Sequence, residues 1–120
     1  MKLKRVGFFR ELRHGMPEGP QLRSLLSETP QENEDRIARY LRSGVLFIAA
    51  PTFVEDVLAP GHVIGSPHVF TDGMWAWPGD LAYYVEKYHA RLPAEFISHM
   101  ARKNWAIPAE DNVPLTGLTF

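Results

Sequence analysis

Histidines and carboxylates are the first residues to question, because an imidazole is the commonest metal ligand and general base. His62 and His68 lie six residues apart on a Gly/Pro-rich segment, with Asp56 six before the first and Asp72 four beyond the second. If that segment folds back on itself, His62, His68 and Asp72 can surround a divalent ion or activate a water for hydrolysis. Their spacing matches no metal motif, and the plainer reading leaves both histidines on the surface or capping turns, with no metal and no cofactor. His89 ends a helical segment, where an imidazole is a favourable partner for the helix dipole. His14 reads as exposed loop.

The other reactive side chains have equally ordinary roles open to them. Ser66 stands in Gly65-Ser66-Pro67-His68, which lacks the second glycine and the following helix of a nucleophile elbow. Glu55 and Asp56 are adjacent, so on a strand they point to opposite faces and cannot work as an acid–base pair. Asp72 and Asp80 have structural roles ready, as turn former and helix starter. Gly61, Gly65, Gly73 and Gly79 form neither a dinucleotide-binding nor a P-loop pattern. With no Cys in the chain, thiolate catalysis, Cys-ligated zinc and disulfides are excluded. No catalytic residue emerges.

What remains unusual is aromatic density: Phe70, Trp75, Trp77, Tyr83, Tyr84 and Tyr88 fall within twenty residues. Tyr83 and Tyr84 diverge by about 100° on a helix, so both cannot face one core. A Tyr/Trp patch rimmed by charge is the composition of a protein-binding surface. Trp75, Trp77, Tyr83 and Tyr84, with Asp72 and Asp80 beside them, are therefore the candidate partner-binding residues, the alternative being that the rings are simply core.

The elements that must position these residues follow from local pattern. Lys4–Leu12 reads as a first strand, apolar on both faces, followed by a loop over 14–20 and a helical turn or two over Gln21–Leu26. Thr29-Pro30-Gln31-Glu32 is a capping box with Pro at the first helical position, which predicts a helix from Pro30 to Ser43 with Ile37, Tyr40 and Leu41 inward. Val45–Ala50 reads as a central strand and 52–58 as an irregular one. Asp72-Gly73 between two β-forming runs predicts a hairpin with a type I′ turn, placing Trp75 and Trp77 on one face. A helix then opens at Pro78-Gly79-Asp80, carrying Leu81, Tyr84, Val85 and Tyr88. Another follows Pro93 with Phe96, Ile97 and Met100 inward, and the tail's Val113, Leu115, Leu118 and Phe120 tuck against the body. This order predicts an α+β domain, with a small antiparallel or mixed sheet and about three helices packed mainly on one face.

Composition agrees with one globular domain over residues 1–120: 45% hydrophobic and 22% charged residues in 120. A net charge of −1 gives no general attraction for nucleic acid or a membrane surface. The basic N-terminus is interrupted too early for a signal peptide, and the longest apolar run is far short of a membrane span. A cytoplasmic protein is the expectation.

Three blocks together resemble a group of small uncharacterised bacterial proteins, mostly of high-GC organisms. They are Gly7–Gly15 (GFFRELRHG), Tyr40–Gly44 (YLRSG) and Thr71–Val85 (TDGMWAWPGDLAYYV), followed by Tyr88-His89 and Leu92–Phe96. That group carries no established reaction and is similar in size and layout to immunity proteins of bacterial toxin systems. The resemblance implies a non-enzymatic protein-interaction module whose protein partner is a toxin. The alternatives are a small-molecule or metal-binding hydrolytic domain using His62, His68 and Asp72, and a subunit of a homodimer.

Overall fold

The computed structural model describes residues 2–109 and 112–120. Its elements are β1 (Lys4–Arg5), a 3-10 turn (Leu22–Ser24), α1 (Glu34–Arg42), β2 (Val45–Ile48), β3 (Val54–Glu55), β4 (Val63–Gly65), β5 (Val69–Thr71), β6 (Trp75–Pro78), α2 (Leu81–Tyr88) and α3 (Ala94–Arg102). A four-stranded sheet has the order β1-β6-β5-β2, and β3 pairs with β4 in a separate ribbon. The β5–β6 hairpin is antiparallel, β2 adds antiparallel to β5, and β1 adds parallel to β6 with Lys4 opposite Trp75. The fold is the expected α+β class, with a mixed sheet and three α-helices.

Alternation along β6 sorts the core into two halves. Trp75 and Trp77 face the helices and pack with Ile37, Tyr40 and Leu41 of α1, Leu81, Tyr84 and Val85 of α2, and Phe96 and Met100 of α3. Ala76 faces the other way, where Leu3, Phe8 and Val69 meet Leu118 and Phe120 of the tail. The Leu3 N–H donates to the Thr119 carbonyl at 2.8 Å, and the Phe8 and Phe120 rings meet edge-on at 4.8 Å. So helices cover one face and the tail covers the other. The Cα radius of gyration is 13.6 Å, the value of about 13–14 Å expected for a compact chain of this length.

Several local expectations are corrected. The first strand shrinks to Lys4–Arg5 because Gly7 takes φ 83° and turns the chain away from β6. Val45–Ile48 is an edge strand, with β5 on one side only. α1 starts at Glu34, after Asn33 in the left-handed region at φ 61°. The Thr29–Glu32 box does not form: the N-cap Asn33 makes no side-chain capping bond, and in its place a single bond runs from the Gln31 N–H to the Glu34 carboxylate at 3.3 Å. The Gln31 side-chain amide is meanwhile drawn to the Ala90 carbonyl at 2.8 Å. In the hairpin turn Gly73 alone has positive φ, so it is not type I′.

The Trp77 indole sits at the centre of the larger core. Its Nε1–H donates to the Leu41 carbonyl at 3.0 Å, and its ring lies 5.9 Å from Tyr40 and 5.8 Å from Phe96. Gly44, between α1 and β2, is what lets the backbone approach: a Cβ there would stand 2.6 Å from the indole and 2.9 Å from the Phe70 Cβ. Because the indole is tethered and enclosed, Gly44→Ala is expected to cost about 1–3 kcal/mol, the usual penalty of overpacking. Urea denaturation of the two proteins measures it; equal stability would show that the ring has room to give.

Candidate functional site

Three buried aspartates organise the polar chemistry of the molecule, and each is held differently. Asp72 sits in the hairpin turn. The Thr71 hydroxyl donates to the Trp75 carbonyl at 2.7 Å, and the Gly73 N–H donates to Thr71 Oγ1 at 2.9 Å. With the turn fixed in this way, Asp72 Oδ1 accepts the N–H groups of Met74 and Trp75 at 2.9 and 2.8 Å. Asp72 Oδ2 accepts the Tyr40 hydroxyl of α1 at 2.5 Å and the His99 Nε2–H of α3 at 2.7 Å. His99 is itself buried, its ring stacked on Phe96 with the planes 15° apart. At 6% exposure and with both oxygens doubly engaged, Asp72 offers no lone pair to a metal or a substrate. Burial, then the hydrogen bond to Asp72 and its charge, push the Tyr40 phenol well above its usual range.

Asp56 lies under α2, at the end of β3. Its Oδ2 accepts the hydroxyls of Tyr83 and Tyr88 at 2.7 and 2.5 Å, and its Oδ1 accepts the Leu58 N–H at 2.7 Å. Tyr84, between them on the helix, uses its phenol oxygen to accept the Val57 N–H at 2.9 Å. Burial pushes the Asp56 carboxyl up, but the two phenols and the Leu58 and Ala59 amides outweigh it and leave it below the ordinary carboxylate range. Tyr83 is raised by burial and by its bond to Asp56, and Tyr88 by that bond first and burial second. Tyr84 is pushed up to about 12, chiefly by burial.

Asp80 precedes α2 but makes no capping bond. Its side chain is fully buried, with Oδ2 2.9 Å from His14 Nε2. The pair is not aligned as a hydrogen bond, and neither oxygen of Asp80 has a donor among the described residues. His14 lines a cleft of about 480 Å³ between the 11–14 loop and the β3–β4 ribbon, together with Arg13, Phe53, Glu55 and Asp56. Both ring nitrogens of His14 are themselves buried without a hydrogen-bond partner among the described residues, so the imidazole presents neither to the cleft as a general base. Among the described residues, no hydroxyl, thiol or amine side chain lines this cleft to serve as a nucleophile.

The sequence-derived candidates are therefore redistributed. Trp75, Trp77, Tyr84, Asp72 and Asp80 are buried, which removes them from any surface a partner can touch; Tyr83 alone keeps partial exposure, and its hydroxyl is committed to Asp56. His62, His68 and Asp72 do not come together. His62 is exposed beside the Tyr83 ring, His68 Nδ1 accepts the Ala50 N–H at 2.7 Å, and Asp72 is enclosed as described. Among the described residues, no group of three His, Cys, Asp or Glu side chains is placed to hold a metal. No helix among them is long and apolar enough to cross a membrane. The His99–Asp72 and His14–Asp80 pairs went unseen in the sequence, since neither has a local signature. Comparison of the chain with protein-family models, curated proteins and solved structures gave no match.

Two measurements check these networks. Tyr40→Phe takes one donor from a buried carboxylate and is expected to destabilise the fold by about 1–3 kcal/mol, read by urea denaturation. All four tyrosines bind their protons more tightly than an unfolded phenol does. Their stabilisation is thus complete below about pH 10 and lost as the pH climbs through the raised values. Absorbance at 295 nm should show no phenolate in the folded protein at pH 10 and clear ionisation in urea; an ordinary titration in buffer would contradict the assignment. For Asp56 the sign is opposite: its contribution is present above about pH 4 and lost below it, as the lowered folded value is crossed.

Proposed function

We propose that this chain is a non-enzymatic binding module that acts through protein contact, with a bacterial toxin as the class of partner. The observation that carries the reading is the outer edge of the main sheet. On β2 two large apolar side chains stand in water, Leu46 at 46% exposure and Ile48 at 41%; Phe53 at 77% and Val63 at 56% are exposed separately, before β3 and on β4 of the other ribbon. β2 has no strand on its outer side among the described residues. An edge strand with apolar side chains is a template for an added strand, in which backbone bonds give affinity and side chains give choice.

Two further points support a module of this kind. The buried aspartates serve packing or stand beside no nucleophile, so among the described residues the polar side chains assemble no complete reaction centre. The resemblance of segments 7–15, 40–44 and 71–85 to proteins laid out like toxin-immunity proteins points to the same class of partner. The proposed surface differs from the one expected in the sequence: it is built on Leu46 and Ile48 of β2 and not on the tryptophans and tyrosines.

The test is co-expression with the product of the adjacent gene, scored for neutralised toxicity and complex formation. The wild type is expected to protect, and a Leu46→Lys/Ile48→Lys variant with an unchanged circular dichroism spectrum is expected to lose binding by a hundredfold or more. A neighbour that is not toxic, or protection that survives the double substitution, defeats the reading. So does a wild-type dimer that the same substitutions convert to monomer, which would make a second copy the occupant.

A further inference from the structure

At β1, the edge of the main sheet opposite β2, the 5–9 segment, the 16–20 loop and the 91–93 turn line a cavity of about 390 Å³, within the range of about 300–1,000 Å³ common to small-molecule sites. Val6, Phe8, Phe9, Met16, Leu25 and Leu92 make its walls apolar. Three charged residues also line it: Arg5, Arg91 and Glu18, a net charge of one positive unit.

Arg91 has no carboxylate partner among the described residues. Arg5 is already engaged, donating to the main-chain oxygen of Phe120 at 2.7 Å and to the Met16 thioether, a weak acceptor, at 2.9 Å. Arg91 is fixed by its own N–H, which donates to the Leu25 carbonyl at 2.9 Å, and by Nη2, which donates to Ser27 Oγ at 2.9 Å. Its Nη1 is buried and has no acceptor. A guanidinium fixed on one side, with buried donors left over and hydrocarbon around it, is costly in the free protein. A carboxylate is the complementary group, because the planar fork matches its two oxygens.

We propose that this cavity binds a small amphiphilic carboxylate, a hydrocarbon chain or ring with one anionic head, with the head taken by Arg91 and the body lying against Phe8, Phe9 and Leu92. The net positive lining selects a monoanion over the corresponding alcohol or amine, and the apolar walls select a hydrocarbon body over a sugar or a nucleotide. This site is independent of the β2 surface, and either assignment can fail alone.

The experiment is calorimetric titration of the full chain with decanoate below its micelle concentration, with decanol as the neutral probe of equal length. Decanoate is expected to bind at least tenfold more tightly than decanol, the margin of a charge-assisted hydrogen bond. From hexanoate to decanoate, affinity should rise roughly fourfold per methylene added. Arg91→Met should remove the preference for decanoate while leaving decanol binding in place. Should that variant fold poorly, amide chemical shifts of the wild type decide: they must move at Gly7, Phe9, Gly19 and Leu92. Equal binding of the two probes, shifts centred elsewhere, or no binding of decanoate at about 1 mM (a free energy near −4 kcal/mol) would overturn the proposal.

Discussion

One carboxylate fixes the arrangement of sheet and helices. Asp72 stands at the tip of the β5–β6 hairpin, and its four hydrogen bonds run to the turn's own backbone, to Tyr40 on α1 and to His99 on α3. A buried anion is tolerated only when its lone pairs are filled, so leaving the turn, α1 or α3 out of place exposes the others to the cost of desolvation. Apolar packing of Trp75 and Trp77 against three helices supplies the bulk of the stabilisation but has little angular preference of its own. The polar contacts at Asp72 set the angle at which that packing happens.

The same logic, repeated at Asp56, positions the small ribbon. Tyr83 and Tyr88 reach from α2 to one carboxylate oxygen, and Tyr84 takes the neighbouring backbone N–H. Aromatic residues that look like a recognition surface in composition are used here as long struts, with an apolar body in the core and a hydroxyl that reaches a distant acceptor. Outward-facing hydrophobicity falls instead to residues whose types alone mark nothing, Leu26, Leu46, Ile48, Phe53, Val63 and Met74 among them.

Elements built from contiguous residues were readable in the chain: the hairpin around Gly73, α2 after Asp80, α3 after Pro93, and the inward faces of all three helices. The failures share a cause. α1 begins at Glu34 because Gln31 is drawn to the Ala90 carbonyl and His89 Nδ1 lies 2.8 Å from Glu34 Oε2, contacts that join distant parts of the chain. The first strand is cut short at Gly7, whose positive φ is matched by a close approach to Leu81. Both buried His–Asp pairs unite a loop or turn with residues far along the chain, so spacing carries no trace of them. Local chemistry was visible where neighbours in sequence are neighbours in space, and hidden where a carboxylate chooses its partner across the fold.

The parallel pairing of β1 with β6 carries a consequence for the order of assembly. Lys4 finds its register against Trp75, and Leu3 is bonded to Thr119. β1 is therefore made well before its partner β6 and stays unpaired until β6 has emerged. The β5–β6 hairpin and the helices beside it can gather locally in the meantime, because closing a short loop costs less entropy than closing a long one. β1 docks only once that hairpin exists, and the interval before it docks leaves the nascent chain open to capture by other chains or by a chaperone.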